Sequence, residues 1–536
     1  MMRAEILETL RQRTIPWDVL VIGGGATGLG TAVEAASRGY QTVLVERIDF
    51  AKGTSSRSTK LAHGGVRYLE QGNITLVLDA LKERGHMLRN APHLVHDLSF
   101  VVPAFHYLSL PYYGLGLKVY ERLSGKLSLG PSRFLSRTQT LQMLPGIASD
   151  GLRGGVLYHD GQFDDARYAI SLMRTLQDLG GTAINYIEAT QILHHNGRAA
   201  GIAALDKESG ESFEILAKVV INATGTYAER VLSMDHAQNR SVLALSQGTH
   251  FVLPRSFLEG SAALMVPRTD DGRVLFAIPW HGATIVGTTD EPVEQVTDDP
   301  RALRREKEFL LDHINRYFGR RPHGSEILSV WSGQRPLFRE ASKKTSQISR
   351  DHKILVSDSR MITITGGKWT TYRRMGQDAI DRAAGVGSLP ATKSRTVDLK
   401  LHGWLASPSK NMSEPEFVYG SDFQALEQLG SGDPELNRLI HPNLPYRLRE
   451  IIWAARYEMA RTTEDVLARR THALFLDARA AIEAAPAVAA WLGKELKRDA
   501  AWIQRDLDSF ISLANGYVYH DNEPVSHATE IIGTQQ

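Results

Sequence analysis

Three closely spaced glycines near the start of this chain constrain its fold more than any other feature. Residues 17–46 read WDVLVIGGGATGLGTAVEAASRGYQTVLVE, with apolar runs at both ends and an alanine-rich segment after the glycines. This order predicts a strand, a tight turn, a helix and a second strand. Gly23, Gly25 and Gly28 have the G-x-G-x-x-G spacing, in which free backbone amides at a helix start face a pyrophosphate. The segment therefore predicts a dinucleotide-binding βαβ unit.

The acidic residue that ends the second strand narrows the choice of dinucleotide. Glu46 follows Gly28 by eighteen residues. A carboxylate at that place can accept hydrogen bonds from the diol of a ribose that carries no 2′-phosphate. The pattern thus favours NAD or FAD over NADP and leaves the first two open.

The loop that follows, residues 53–72, reads GTSSRSTKLAHGGVRYLEQG. Its hydroxyls and its lysine suit phosphate and ribityl contacts, and its glycine pair leaves room for a flat ring against backbone. The expected cofactor contacts are Thr54, Ser55, Ser56, Lys60, Gly64 and Gly65. His63 is expected to hold this loop rather than to do chemistry. An ordinary polar loop explains the same composition equally well.

Composition excludes several classes of function. Lys and Arg number 62 against 60 Asp and Glu, so the net charge of +2 gives no global field that would attract nucleic acid. The chain has no cysteine, which excludes disulfides, thiolate metal sites, a cysteine nucleophile and a cysteine-linked cofactor. We expect a non-covalent cofactor, no nucleic-acid partner and no metal.

The length of 536 residues predicts more than one domain. Strand-turn-helix patterns near both ends of residues 17–385 enclose short strands separated by Pro and Gly, and a helical remainder follows. We expect an α/β fold in which a Rossmann-like domain is interrupted by an antiparallel-sheet substrate domain and followed by an α-helical C-terminal cap. The predicted boundaries are 17–95, 150–240 and 350–385 for the dinucleotide domain, 96–149 and 241–349 for the substrate domain, and 386–536 for the cap.

Seven motifs occur in a fixed order along the chain. They are VIGGGATGLGTA, TSSRSTKLAHGGVRYLE, NATGTYA, LSQGTHFVLP, FAIPWHGATIVGTTD, SGQRPL and ITGGKWTTYR. Together they resemble the FAD-dependent glycerol-3-phosphate dehydrogenase family of the respiratory type. The resemblance covers about residues 17–385, weakens through 386–445 and resumes at RTTEDVLARRTHALF.

This resemblance implies a reaction and its acceptor. FAD would take a hydride at N5 from C2 of sn-glycerol 3-phosphate, giving dihydroxyacetone phosphate, and the electrons would pass to a membrane quinone. Two alternatives stay open: an oxidase that passes the electrons to oxygen, and a catalytically inactive flavin-fold binding protein.

The resemblance also implies the site residues. His250 is the expected base for the C2 hydroxyl, and Arg335 and Lys368 are the expected catalytic cations. Whether Arg335 binds the phosphate or the developing alkoxide is left open. The other implied contacts are Arg67 and Tyr68 for the substrate, and Gly225, Gly366, Gly367 and Thr370 for the cofactor.

Residues 106–130 combine Leu and Tyr with Lys118, Arg122 and Lys126. Such a segment suits the interface of a membrane, although a helix packed on the core explains it as well. We expect a homodimer in the cytoplasm that lies peripherally on the inner face of the cytoplasmic membrane.

Overall fold

The computed structural model describes residues 3–66, 69, 73–106, 109–235, 242–269, 272–339, 351–406 and 415–521. Within these ranges the chain forms two large β-sheets and a C-terminal group of helices. Among the residues described, every helix is too short or too polar to span a lipid bilayer.

The strands, in chain order, are β1 (Trp17–Ile22), β2 (Thr42–Val45), β3 (Leu61–Ala62), β4 (Val95–Ala104), β5 (Arg133–Ser136), β6 (Gly154–Phe163), β7 (Thr182–Ile184), β8 (Ile187–His195), β9 (Arg198–Asp206), β10 (Ser212–Asn222), β11 (Leu243–Pro254), β12 (Ala263–Val266), β13 (Leu275–Trp280), β14 (Ala283–Gly287), β15 (Glu291–Val293), β16 (Ser329–Phe338), β17 (His352–Val356), β18 (Ile362–Gly366), β19 (Leu439–His441) and β20 (Leu444–Arg447).

The α-helices are α1 (Arg3–Gln12), α2 (Ala26–Ser37), α3 (Ile74–Asn90), α4 (Ser109–Ser124), α5 (Arg137–Met143), α6 (Asp165–Asp178), α7 (Ala228–Asp235), α8 (Arg304–Phe318), α9 (Tyr372–Val386), α10 (Phe423–Ser431), α11 (Leu448–Tyr457), α12 (Ala473–Leu476), α13 (Ala478–Glu495) and α14 (Ala500–Asn515).

The first sheet contains the predicted βαβ unit. Its strands run in the order β17-β18-β10-β1-β2-β7, with β8 and β9 attached beyond β10. Strand β1 lies parallel to both β2 and β10, and its central residues 19–21 are fully buried. A continuous apolar run suits such a strand because helices cover both faces of a parallel sheet. The βαβ prediction for residues 17–46 is confirmed.

The second sheet has the order β15-β11-β14-β13-β12-β4-β6-β3, with β16 on β11 and β5 on β6. Nearly all of its pairs are antiparallel, as predicted. The pair β4–β12 is parallel, and the long chain segment between its strands meets the need of a parallel pair for a long connection.

The C-terminal helices pack on the second sheet and are tied to the first. The rings of Trp331 in β16 and Phe475 in α12 lie 5.4 Å apart. Arg469 and Arg470 form buried ion pairs with Asp49, at 2.6 and 2.7 Å, in the segment after β2. The predicted fold class is thus confirmed. The helical cap also contains a short hairpin, β19–β20, which the sequence patterns did not predict.

Candidate functional site

The glycine loop between β1 and α2 has the geometry that its spacing predicts. Gly23 has φ +111°, and a Cβ there would lie 2.7 Å from the carbonyl oxygen of Ala223 in the segment after β10. A Cβ on Gly28 would lie 1.9 Å from the carbonyl oxygen of Gly23. Glycine at both positions therefore lets the turn close and lets α2 approach β1.

Glu46 holds the loop from the end of β2. Its two carboxylate oxygens accept hydrogen bonds from the backbone amides of Gly24, at 2.6 Å, and Ile48, at 2.9 Å. Burial raises the pKa of Glu46, and these amide donors oppose the rise. The carboxyl group also lines the cavity described below, where a ribose diol would lie.

The serine-rich loop meets the start of α2. The Ser55 hydroxyl accepts a hydrogen bond of 2.9 Å from the amide of Ala26, and the Thr54 hydroxyl donates one of 2.6 Å to the carbonyl of Gln334 in β16. The loop thus connects the glycine turn of the first sheet to the second sheet.

Lys60 has a different environment from the one predicted. Its ammonium is fully buried and donates to both carboxylate oxygens of Asp165, at 2.7 and 2.9 Å, and to the carbonyl of Ser56 at 2.7 Å. The rings of Trp280, Trp331 and Phe475 surround it at 5.1 to 5.4 Å. A buried ammonium requires an anionic partner, so Lys60 pairs with Asp165 instead of a cofactor phosphate.

One cavity of about 490 Å³ extends between the two sheets and contains most of the predicted site. The predicted residues that line it are Gly23, Gly25, Glu46, Thr54, Ser55, His63, Gly65, Gly225, His250, Arg335, Gly366, Gly367, Lys368 and Thr370. Arg67 and Tyr68 lie outside the described residues.

Four predicted cofactor contacts stand behind the cavity wall: Gly28, Ser56, Lys60 and Gly64. Gly28 has the packing role that its motif predicts. The amide of Gly64 donates to the Tyr120 hydroxyl at 2.7 Å, and a Cβ there would lie 2.5 Å from Leu81. Residues of α3 and α4 leave no room for a side chain at position 64, which explains the glycine. The prediction that Gly64 faces a flat ring is therefore corrected.

His250 lies in β11, between β14 and β16. Its ring stacks on Trp331 with centroids 4.1 Å apart, and its Nε2 is hydrogen-bonded to the Thr59 hydroxyl at 3.0 Å. Burial lowers the pKa of His250 well below its usual value, and the charges of Arg335 and Lys60 lower it further. The imidazole is therefore neutral at neutral pH and able to accept a proton.

The G-T-T-D turn after β14 surrounds the guanidinium of Arg335. Arg335 donates to the Thr288 hydroxyl at 2.9 Å and to the carbonyl of Thr289 at 3.4 Å, and its Nη1 lies 3.5 Å from Asp290. Sequence reasoning assigned no role to Thr59, Thr288 or Asp290, all of which line the cavity. The G-T-T-D motif was the signal that could have identified two of them.

The second glycine turn, after β18, forms another part of the cavity wall. Gly366 and Gly367 have φ of +78° and +73°. The Thr370 hydroxyl accepts from the His63 amide at 3.2 Å and donates to its carbonyl, which joins this turn to the serine loop. Burial and then the charge of Lys368 lower the pKa of His63 to about 3, so His63 is neutral.

Outside the cavity lining, Asp164, His281 and His472 form a compact cluster whose ligand-type atoms lie within 4.8 Å of one another. Hydrogen bonds account for this cluster. His472 Nε2 lies 2.8 Å and His281 Nε2 lies 3.4 Å from the same oxygen of Asp164.

The cavity has features that fit FAD. A Cβ on Gly25 would reach within 3.0 Å of the Ser55 hydroxyl and fill the space at the start of α2. Glu46 lines the same cavity, where a ribose would lie, and so do the turn at 366–367 and Lys368. Each of these groups suits one part of FAD. The start of α2 suits the phosphates, Glu46 suits the ribose diol, and Lys368 suits the flat ring.

Comparisons with known proteins give the family. Residues 18–373 match the family described as FAD dependent oxidoreductase, and residues 360–502 match the C-terminal domain of alpha-glycerophosphate oxidase. The chain is 37% identical to a mitochondrial glycerol-3-phosphate dehydrogenase of Bos taurus, over 97% of this chain and 75% of that protein. It is 36% identical to the mitochondrial enzyme of Arabidopsis thaliana, over 92% of this chain and 85% of that protein.

Comparison with solved structures gives the same result as the sequence comparison. The glycerol-3-phosphate dehydrogenase of Bacillus halodurans, complexed with FAD, matches with a TM-score of 0.78 and 28% identity, over 96% of this chain and 97% of that one. An FAD-bound glycerophosphate oxidase of Mycoplasma pneumoniae shares the fold, with a TM-score of 0.54 and 18% identity over 71% of this chain and 97% of that one. On its motifs, its sequence identity and its fold, the chain belongs to the FAD-dependent glycerol-3-phosphate dehydrogenase family.

Proposed function

We propose that this protein oxidises sn-glycerol 3-phosphate at C2 to dihydroxyacetone phosphate, with FAD as hydride acceptor and a membrane quinone as electron acceptor. One observation carries the proposal: the neutral imidazole of His250 and the guanidinium of Arg335 line the same cavity as the dinucleotide loop. A secondary alcohol that carries a phosphate needs a base, a cation and a redox ring at one place.

His250 removes the hydroxyl proton. FAD, when bound, supplies an N5 that takes the hydride from C2. His250 accepts the proton of the C2 hydroxyl at Nε2 through the Thr59 hydroxyl, which gives its own proton to the imidazole as it receives that of the substrate. Trp331 and Thr59 hold the imidazole from two directions, so the base need not reorient before it accepts the proton.

Arg335 and Lys368 bind the anionic groups. We assign the C2 oxygen to Arg335, because its guanidinium lies over Gly248, two residues before His250 in β11, where a Cβ would come within 2.1 Å of Nη2. Lys368 binds the phosphate together with Arg67 and Tyr68, the two substrate ligands that the sequence motif implies. Thr288 and Asp290 orient Arg335 for this contact.

The reaction is tested on the purified holoenzyme without oxygen. Glycerol 3-phosphate should bleach the yellow flavin, whereas glycerol and amino acids should leave it oxidised. A colourless protein, or a flavin that does not respond, would contradict the proposal. Rapid peroxide formation in air, with no faster turnover on added quinone, would favour the oxidase.

The two sheets support a division into domains, although β3 and β6 of the second sheet fall within the bounds proposed for the FAD domain. We assign 17–95, 150–240 and 350–385 to the FAD domain, 96–149 and 241–349 to the substrate domain, and 386–536 to the cap. Limited proteolysis of the holoenzyme tests the last boundary, with cleavage expected between residues 386 and 420.

Helix α4, within the segment 106–130, supports membrane contact. Tyr112, Leu115 and Val119 are 60%, 69% and 41% exposed on its outer face, and Leu117 and Tyr120 are buried on its inner face. Phe134 of β5 adds another exposed ring, 51% accessible. Lys118 and Arg122 on the same helix suit anionic lipid headgroups.

We propose that the protein lies in the cytoplasm and binds peripherally to the inner face of the cytoplasmic membrane, with α4 as the contact. Flotation with anionic vesicles tests this assignment, and Leu115→Glu should reduce the bound fraction. The homodimer stays a prediction, which light scattering of the detergent-free protein tests.

A further inference from the structure

The second sheet carries an apolar floor that begins beside His250. Across the strands, His250 in β11 is opposite Gly287 in β14, and Gly287 is opposite Phe276 in β13. Phe276 is in turn opposite Met265 in β12. Neighbouring strands lie about 4.8 Å apart, so Phe276 is roughly 10 Å from the expected base along the same cavity wall.

Aromatic side chains continue this floor away from the polar site. The ring of Phe100 stacks on Tyr158 at 5.1 Å and meets Phe276 edge-on at 6.0 Å. The Tyr158 hydroxyl contacts the sulfur of Met265 at 3.0 Å. All four side chains line the cavity, and we call this group of Phe100, Tyr158, Met265 and Phe276, with Val274 at its edge, the apolar lobe.

The apolar lobe is unsuited to the polar substrate. Among the described lining residues near it, the charged groups already have partners: Asp160 is paired with Arg84 at 2.9 Å, and Arg273 with Glu291 at 2.9 Å. An apolar wall cannot replace the water around a phosphate dianion. It can bind a flat conjugated ring, which stacks on aromatic side chains.

The apolar lobe is also close to the surface proposed to contact the membrane. The ring of Tyr158 touches that of Tyr120 at 6.4 Å, and Tyr120 belongs to the inner face of α4. The outer face of that helix carries the exposed Tyr112, Leu115 and Val119. About one helix diameter, roughly 10 Å, therefore separates the lobe from the apolar surface.

We propose that the apolar lobe binds the ring of the quinone that reoxidises the enzyme, an inference that rests on the proposed function. A quinone bound on this apolar floor would lie next to His250, the residue beside which the substrate reacts. The reaction balances: C2 loses two electrons and two protons as the alcohol becomes a ketone, and the quinone gains both as its two carbonyls become hydroxyls.

Two variants test the site by different means. Phe276→Ala removes part of the floor, and Val274→Trp fills its edge, where the side chain is half-buried. Phe213→Ala is the matched control, because Phe213 is also a half-buried strand residue but does not line the cavity. Flavin content and thermal unfolding of each holoenzyme establish that it is folded.

Three measurements separate this inference from the function itself. These are the anaerobic bleaching rate with glycerol 3-phosphate, turnover with a hydrophilic dye such as ferricyanide, and turnover with a short-chain ubiquinone. Calorimetric titration of the oxidised enzyme with that quinone, in the absence of substrate, gives its affinity directly.

Both variants should bleach and reduce the dye at the rate of the unchanged protein. Their KM and Kd for the quinone should rise by roughly tenfold, the scale expected when one aromatic contact is lost. Unchanged quinone binding in both variants would overturn the inference. A raised KM for glycerol 3-phosphate would assign the lobe to the substrate instead. If glycerol 3-phosphate does not bleach the flavin of the unchanged protein, the proposed function itself is contradicted, and not only the assignment of the apolar lobe to a quinone.

Discussion

The imidazole of His250 lies flat on the indole of Trp331, with ring centroids 4.1 Å apart and an angle of 19° between the planes. The two residues face each other across the β11–β16 pair. Trp331 therefore fixes the plane of the ring, and the bond from Nε2 to Thr59 fixes its rotation within that plane. A base held in this way has one direction from which it can accept a proton.

Replacing His250 should slow chemistry without releasing the cofactor. For His250→Asn we expect the rate of flavin bleaching to fall by roughly a hundredfold to ten-thousandfold, the usual contribution of a general base. Stopped-flow absorbance under anaerobic conditions measures this rate. His352→Asn, which changes a histidine outside the cavity lining, is the control. A bleaching rate within a factor of two of the unchanged protein would remove His250 from the mechanism.

Arg335→Lys should weaken transition-state stabilisation by ~2–4 kcal/mol, as expected for a lost charge pair in a desolvated site. A lysine keeps the charge but lacks the planar fork whose separate nitrogens reach Thr288 and Thr289. Steady-state kcat/KM with glycerol 3-phosphate measures the loss. Arg374→Lys is the control, because Arg374 is exposed and pairs with Asp378 on the surface of α9. Equal kcat/KM for the two variants would contradict the assigned role.

Gly25→Val should yield protein without FAD. A Cβ at Gly25 already lies 3.0 Å from the Ser55 hydroxyl, and the two further carbons of valine would occupy the pyrophosphate's approach. The ratio of flavin absorbance to protein absorbance measures flavin content. Gly385→Ala, a helical position with open space around it, should retain full flavin. Stoichiometric flavin in Gly25→Val would reject the loop assignment.

Stability should depend on pH through His402. Its Nδ1 lies 2.7 Å from Asp178 and its Nε2 lies 2.7 Å from Asp422. Burial alone would lower the pKa of His402, but hydrogen bonds to the two carboxylates outweigh it and raise the pKa to about 9.

The pKa of His402 in the folded protein lies above the usual histidine value of about 6.5. The stabilisation is therefore complete below about pH 6.5 and is lost as the pH rises through about 9. Urea unfolding of the holoenzyme at several pH values measures it. The difference in unfolding free energy between the unchanged protein and His402→Gln should shrink steadily over this range. A difference that stays constant with pH would show that the charge of His402 does not stabilise the fold.

Much of the fold follows from local patterns. The patterns within residues 17–46 correspond to β1 at Trp17–Ile22, the helix α2 at Ala26–Ser37 and β2 at Thr42–Val45. These patterns are readable because a helix repeats its contacts every few residues, within the segment itself. The hairpin β19–β20 was missed because its strands are only three and four residues long, too short to show alternation.

Long-range partners explain the errors at the site. Lys60 was expected to bind a cofactor phosphate, but it forms an ion pair with Asp165, which lies more than a hundred residues later in the chain. Gly64 was expected beside a ring, but Leu81 and Tyr120 occupy that space. No local pattern reveals which buried carboxylate or which helix comes to lie against a loop.

By itself, the sequence determined the βαβ unit, the loop able to bind a dinucleotide and the residue types available for chemistry, because spacing and periodicity act over a few residues. Only the tertiary structure decided that Thr59 and Trp331 hold His250, that the G-T-T-D turn surrounds Arg335 and that an apolar floor adjoins them. Those relationships depend on strand order and register, which join residues distant in the chain through packing that no short segment encodes.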